Sequence, residues 1–189
     1  MNSAAWFTVL IVLVGLERVA ELILSRRNAA WALARGGQEY GRQHYPAMVA
    51  LHSGFLLAAL IEVWFLGRAF PWWGWCMLVL VVAAQALRWW CIATLGRRWN
   101  TRVIVVPGLP LIERGPYGVL RHPNYVAVVL EGFALPLVHG AWITALVFST
   151  CNAALLRRRI QVENAALAQA PAARVDTSAL EVDQSEDQE

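Results

Sequence analysis

Three long apolar runs constrain this chain more than any other feature. They are Ala4 to Leu24 (AAWFTVLIVLVGLERVAELIL), Pro46 to Leu66 (PAMVALHSGFLLAALIEVWFL) and Trp72 to Leu95 (WWGWCMLVLVVAAQALRWWCIATL). A bilayer core takes about 20 helical residues to cross, and each run reaches that length. Lipid offers backbone amides no partner, so such a run must close its hydrogen bonds within itself, as helix. Hydrophobic residues make up 58% of the chain and the mean hydropathy is +0.47, against roughly 45–50% apolar content in soluble domains. The first run has no basic residue ahead of it and no small-residue cleavage site before Arg26, so it reads as a retained anchor.

The segment Val126 to Leu156 is too long for one ordinary span and barely long enough for two. Pro136 and the Val138-His139-Gly140 run break it into two short helices, a tight hairpin. Charge arbitrates between four spans and five. Arg26, Arg27, Arg35 and Arg42 follow the first run, and Arg97, Arg98, Arg102, Arg114 and Arg121 follow the third. Arg157, Arg158 and Arg159 follow the last, whereas the connections Gly67 to Pro71 and Pro136 to Gly140 hold Arg68 alone. Five spans put each cluster on the cytoplasmic side; four would export the Arg157 to Arg159 triplet. The expected fold is all-α and membrane-integral. It has five transmembrane helices, the last two a hairpin, an extended element in the cytoplasmic loop before the fourth, an outer N-terminus and a cytoplasmic C-terminus.

The formal charge of +3 does not point to nucleic acid, since the chain has no lysine and its arginines flank apolar runs. Cys76, Cys91 and Cys151 form no CxxC and fall within spans, which argues against a metal site or a disulfide framework. Neither a P-loop nor GxGxxG occurs, so a soluble nucleotide-binding domain is not expected. Residues 1–168 form the expected membrane domain, and 169–189, rich in Asp and Glu, an expected disordered acidic tail.

With that topology, the ionisable and amide side chains inside the runs gather in the cytoplasmic half: Glu17, Arg18 and Glu21 in the first span, His52 in the second, Gln85 and Arg88 in the third, Glu131 two turns into the fourth and Asn152 near the end of the fifth. Buried charge in lipid costs about 2.5–3.5 kcal/mol per residue on insertion scales, so these groups face one another or a cavity. Arg18, Glu21 and Arg88 can pair or snorkel, and His52 fits a hydrogen-bonded structural histidine. Glu62, near the outer end of its span, is expected at the interface.

Between the third and fourth spans runs GRRWNTRVIVVPGLPLIERGPYGVLRHPNY. Its TRVIVV has the β-branched content of a strand, PGLPL is turn material, and Pro123 suits the first turn of a helix. His122 then stands beside the free amides of the fourth helix, a natural seat for a carboxylate or ribose oxygens. Arg102, Tyr117, Arg121, His122, Asn124 and Tyr125 suit a zwitterionic ligand with an aromatic base, whose positive centre can rest on a tyrosine face. In RRRIQVENAAL, Arg159, Glu163 and Leu167 share a helical face by their spacing, a pattern that also fits a surface ion pair.

GPYGVLRHPNY, two apolar spans and then RxxxE with a leucine four further on resemble the isoprenylcysteine carboxyl methyltransferase family over about Leu95 to Leu167. WNTRVIVVPG and HPNYVAVVLEGFALPL look more like its bacterial branch associated with type III polyketide synthases, which O-methylates alkylresorcinols or alkylpyrones. The resemblance implies an S-adenosylmethionine site in a bacterial inner membrane protein, a lipid acceptor arriving from the bilayer and a functional link to such a synthase. By motif position it implies Tyr117, His122, Pro123, Tyr125, Arg159 and Glu163 on the cofactor side, and Arg102 joins them from the polar constellation above. Where the family often shows two consecutive acids, this chain has Glu163 and Asn164. Methyl transfer from a sulfonium needs in-line positioning and no metal, and a phenol of pKa near 10 benefits from a base or a cationic neighbour. Glu131 is the candidate base or orienting group and Arg88 the candidate anion stabiliser, which favours a hydroxyl over a carboxylate acceptor. Two other readings compete. An NADPH-dependent enone-lipid reductase carries a similar RHPNY, commonly with Gly and an acid after the tyrosine where this chain has Val-Ala; a non-catalytic lipid-binding protein would leave the polar set without a substrate.

Overall fold

A computed structural model describes residues 2–169; the expected acidic tail, apart from Gln169, lies outside them. Five α-helices follow in order: α1 (Ser3–Leu33), α2 (Tyr45–Phe65), α3 (Gly74–Leu95), α4 (Pro123–Leu137) and α5 (Trp142–Gln169). Two short strands, β1 (Gln38–Tyr40) and β2 (Val103–Val105), pair antiparallel with Glu39 opposite Ile104. The structure is thus helical with one small ribbon. Two helices, spanning Arg42–Phe65 and Gly74–Arg98, are long and apolar enough to cross a bilayer, each with a mean hydropathy of 1.8, and Pro123–Leu137 is a shorter apolar helix.

The second and third apolar runs become α2 and α3 almost to the residue. The first run continues as helix well past Leu24, because Ser25, Asn28, Ala29 and Ala32 form a buried stripe on its extension. That stripe pins the α3–β2 connection. Asn28 Nδ2 donates to the carbonyl oxygens of Trp99 at 2.7 Å and Gly96 at 3.2 Å, and Ser25 Oγ receives the Thr101 amide at 3.0 Å.

Helices α4 and α5 are joined by the expected break, at Val138–Ala141, but α5 runs for 28 residues and is not a short helix. Helix α4 runs through Pro136 for one more residue, so the missing amide falls where the helix is already ending. The most extensive helix packing is α3 on α4, followed by α4 on α5 and then α2 on α5. Gly132 permits the α4–α5 approach, since a Cβ there would stand 2.1 Å from Phe148 Cε1. The apolar core, built from Phe7, Ile11, Val14, Phe55, Ala59, Val63, Leu135 and Phe148 among others, fills one end of the bundle. Toward the other end, where the arginine clusters sit, the helices leave space between them.

Glu62 is 5% exposed. Its carboxylate reaches from α2 to the start of α5, accepting the Ile143 and Thr144 amides at 3.2 and 2.7 Å and the Thr144 hydroxyl at 2.8 Å. Arg68 donates to it through Nε at 3.1 Å and Nη2 at 2.9 Å. A helix start carries unpaired amides and positive potential, and here a carboxylate from another helix caps it.

Candidate functional site

Two hollows open toward the arginine-rich end. The smaller, about 120 Å³, lies between the 98–105 segment, the start of α4 and the last turns of α5, lined by Arg98, Arg102, Tyr117, His122, Asn124, Tyr125, Arg159, Glu163 and Leu167 among others. The larger, about 390 Å³ and mostly apolar, lies among α1, α2, α4 and α5. Both are lined by Trp99, Asn124, Tyr125 and Arg159.

Local sequence explains how these side chains arrive. Gly115 takes φ +57°, and a Cβ there would meet Thr94 Oγ1 at 2.8 Å, so only glycine lets the Gly115–Gly118 turn lie this close against α3. Tyr117 on that turn lines the smaller hollow. Burial, reinforced by the adjacent Cys91 thiol, pushes its phenol above the ordinary tyrosine value. Pro123 is fully buried as the first residue of α4, with His122 at the cap position. The His122 and Tyr125 rings stack at 5.3 Å with 22° between planes.

Arg159 and Glu163 converge on Tyr125. Arg159 Nε donates to the phenol oxygen at 2.7 Å, and that hydroxyl donates to Glu163. Their spacing of four therefore serves a third residue from another helix, not a surface pair. His122 Nδ1 stands 3.9 Å from Glu163 Oε1. His122 Nε2 and Asn124 Oδ1 are buried without a partner among the described residues. Arg102 lines the hollow with its charge already engaged: Nη1 is 3.4 Å from Glu39 Oε2, and the guanidinium lies over Tyr45. Arg121 is exposed and lines neither hollow.

Deeper in the bundle, the charged groups of α1, α3 and α4 form one network. Arg88 donates to Glu131, whose Oε2 also stands 3.7 Å from Arg18 Nη2. Arg18 Nη1 pairs with Glu21 at 3.0 Å, and Arg88 Nε is 3.7 Å from the other Glu21 oxygen. Gln85 donates to Glu17 and accepts from Arg18 at 3.1 Å. Arg18, Glu21 and Arg88 line the larger hollow with His52 and Asn152. Glu131 lines a small adjoining recess with Arg18, His52 and Arg88. The structure thus brings the expected cofactor-side residues to one hollow, except Pro123, which is buried and not part of its lining, and joins Arg88 to Glu131 beside its neighbour.

Sequence reasoning missed Arg98, Trp99 and Asn100 as wall residues and Ser25 and Asn28 as their anchors. The polar pair at a spacing of three within SRRNAAWAL was the available signal. Among the described residues no group of His, Cys, Asp and Glu could hold a metal ion.

Comparison with known proteins gives a family and two relatives. The model of the isoprenylcysteine carboxyl methyltransferase (ICMT) family matches residues 77–169. The "Uncharacterized protein YpbQ" of Bacillus subtilis is 36% identical over 161 residues, 85% of this chain and 96% of that protein. An "Uncharacterized protein" of Haemophilus influenzae is 26% identical over 151 residues, 79% of this chain and 88% of its own length. No solved structure matches the chain.

Proposed function

We propose that this chain, whose residues 77–169 match the isoprenylcysteine carboxyl methyltransferase family model, is a membrane methyltransferase that methylates a hydroxyl of a membrane lipid, a phenol or pyrone, using S-adenosylmethionine. The observation that carries the reading is the pair of hollows, one polar and one apolar, sharing Tyr125, Asn124, Trp99 and Arg159. A water-soluble donor and a lipid acceptor need two such compartments with a common wall. In this reading five helices cross the bacterial inner membrane, the C-terminus is cytoplasmic, and residues 1–168 form the catalytic domain with an acidic tail behind it. The acceptor enters from the bilayer between α1 and α2. A functional link to a type III polyketide synthase would supply such phenolic lipids.

The residues of the polar hollow fit S-adenosylmethionine chemically. Two buried polar atoms, His122 Nε2 and Asn124 Oδ1, lack protein partners, and buried polar groups are almost always satisfied. Arg98 or Arg159 would take the amino acid carboxylate, Glu163 a hydroxyl or ammonium, and the Tyr117 and Tyr125 rings the sulfonium and base faces. When bound, the cofactor supplies an electrophilic methyl group. Tyr125, held by Arg159 and Glu163, forms the wall across which the acceptor must approach. Arg88 and Arg18 stabilise the developing phenolate, and Glu131 orients both guanidiniums.

S-adenosylhomocysteine binding, measured calorimetrically on detergent-purified protein, tests this. Wild type should bind, His122→Ala should bind more weakly, and Tyr125→Phe should lose about 10–100-fold, since hydrogen bonds to charged groups contribute about 1.5–3 kcal/mol. No binding by wild type, or equal binding by all three, overturns the proposal.

A further inference from the structure

A hydroxyl must lose a proton when it is methylated, and each carboxylate near the larger hollow faces a cation or donor, with Glu21 Oε1 left without a hydrogen bond among the described residues. Glu131 Oε2 faces two guanidiniums, Glu21 faces Arg18 and Arg88, and Glu17 receives Gln85 and Trp89. Tyr125 is held between Arg159 and Glu163, and Tyr45 meets Thr101 Oγ1 at 3.3 Å.

His52 differs from all of these. Its Nδ1 lies 2.8 Å from the Met48 carbonyl oxygen. A carbonyl can only accept, so Nδ1 carries the hydrogen and the neutral ring is fixed in the tautomer whose Nε2 is a bare lone pair. Nothing among the described residues donates to that Nε2. Phe148 holds the ring edge-on at 5.2 Å and 87°. His52 lines both the larger hollow and the recess of Glu131. One turn away on the same helix, Met48 Sδ meets Arg159 Nη1 at 3.3 Å, which ties this level of α2 to the wall of the polar hollow.

We propose that His52 Nε2 is the proton acceptor for the lipid hydroxyl, with Arg18 and Arg88 stabilising the oxygen as it becomes anionic. The inference rests on the methyltransferase reading above. In the step, the acceptor oxygen forms a bond to the methyl carbon as the carbon–sulfur bond of the sulfonium donor breaks. That electron pair stays on sulfur, and the hydroxyl proton moves to His52 Nε2 and then to solvent. The charged groups facing the ring are Arg18 of α1, Arg88 of α3 and Glu131 of α4; α5 presents Phe148. This arrangement commits the acceptor to a weakly acidic hydroxyl, because a carboxylate has no proton to give.

The test uses two acceptors of the same chain length, an alkylresorcinol and a nitro-substituted alkylphenol that is already ionised near neutral pH. Single-turnover rates are compared for wild type and His52→Gln, with S-adenosylhomocysteine affinity measured alongside. His52→Gln should lose about 100-fold on the alkylresorcinol, in the range of general base catalysis, and only a few-fold on the nitrophenol, with cofactor affinity unchanged. In the wild type, which requires no variant to fold, the alkylresorcinol rate should fall toward acid pH while the nitrophenol rate holds to lower pH. Equal losses on both acceptors, or an alkylresorcinol rate indifferent to His52, overturn the role of His52. Failure of the wild type to bind S-adenosylhomocysteine overturns the underlying reading instead.

Discussion

Removing the Glu62 carboxylate should destabilise the fold without touching the candidate site. In Glu62→Ala, the Ile143 and Thr144 amides at the start of α5 lose their acceptor, and Arg68 loses its partner. Loss of an N-terminal cap costs about 0.5–2 kcal/mol, and a hydrogen bond to a charged group contributes about 1.5–3 kcal/mol. The Arg68 side chain is 25% exposed and can turn to water, so its share is small, near the 0–1 kcal/mol (roughly) of a surface pair. The total is about 3 kcal/mol. At about 2–4 °C per kcal/mol for a chain of this size, the thermal midpoint should fall by about 6–12 °C. Glu62→Gln keeps an acceptor oxygen and should lose about a third of that. Helical circular dichroism on heating in detergent micelles reads the midpoint. Thr144 and Arg159 stand about 22 Å apart along α5 at a rise of about 1.5 Å per residue, so S-adenosylhomocysteine affinity should be unchanged below the transition. A midpoint for Glu62→Ala within about 2 °C of wild type would refute the capping argument, and a parallel loss of affinity would refute its independence from the site.

Two further outcomes follow from buried groups. Glu131→Leu leaves the Arg88 guanidinium with only its 3.7 Å contact to Glu21 and should cost about 3–5 kcal/mol, while Arg88→Met combined with Glu131→Leu should recover much of that loss without restoring methyl transfer; a double variant no more stable than the worse single would show that the pair is not the unit. For Tyr117, the folded phenol titrates above its ordinary value near 10, so its contribution to stability is complete below that pH and is lost as pH rises past it. Tyr117→Phe should therefore move the midpoint of alkaline unfolding upward, and an identical midpoint in base titrations of both proteins would contradict the burial argument.

What the sequence made legible was local. Apolar length gave α2 and α3, the Val138-His139-Gly140 break gave the turn between α4 and α5, and Pro123 marked the first turn of α4 because each of these signals is written within a few residues. The extension of α1 was hidden, because SRRNAAWAL looks polar until the carbonyl oxygens of Gly96 and Trp99 stand opposite Asn28. β1 could not be read from Gln38-Glu39-Tyr40, three residues being too few for alternation to register; its strand character comes from β2. The partners of Glu62 were hidden for the same reason, since depth along a helix says nothing about which helix end lies beside it.

The candidate site shows the same division in a more consequential form. Each polar group in it was visible as an isolated residue, but its chemistry depends on which partner consumes its lone pairs. Arg159 and Glu163 could have neutralised each other on one face of α5, and they hold Tyr125 instead. Glu131, alone in its stretch of sequence, lies against two guanidiniums. On the proposal above, Glu131 keeps an orienting role and the proton goes to an imidazole whose tautomer is set by a single backbone carbonyl. The assignment of roles in such a cavity follows from counting satisfied lone pairs across helices, and the His52 experiment is where that count meets a rate.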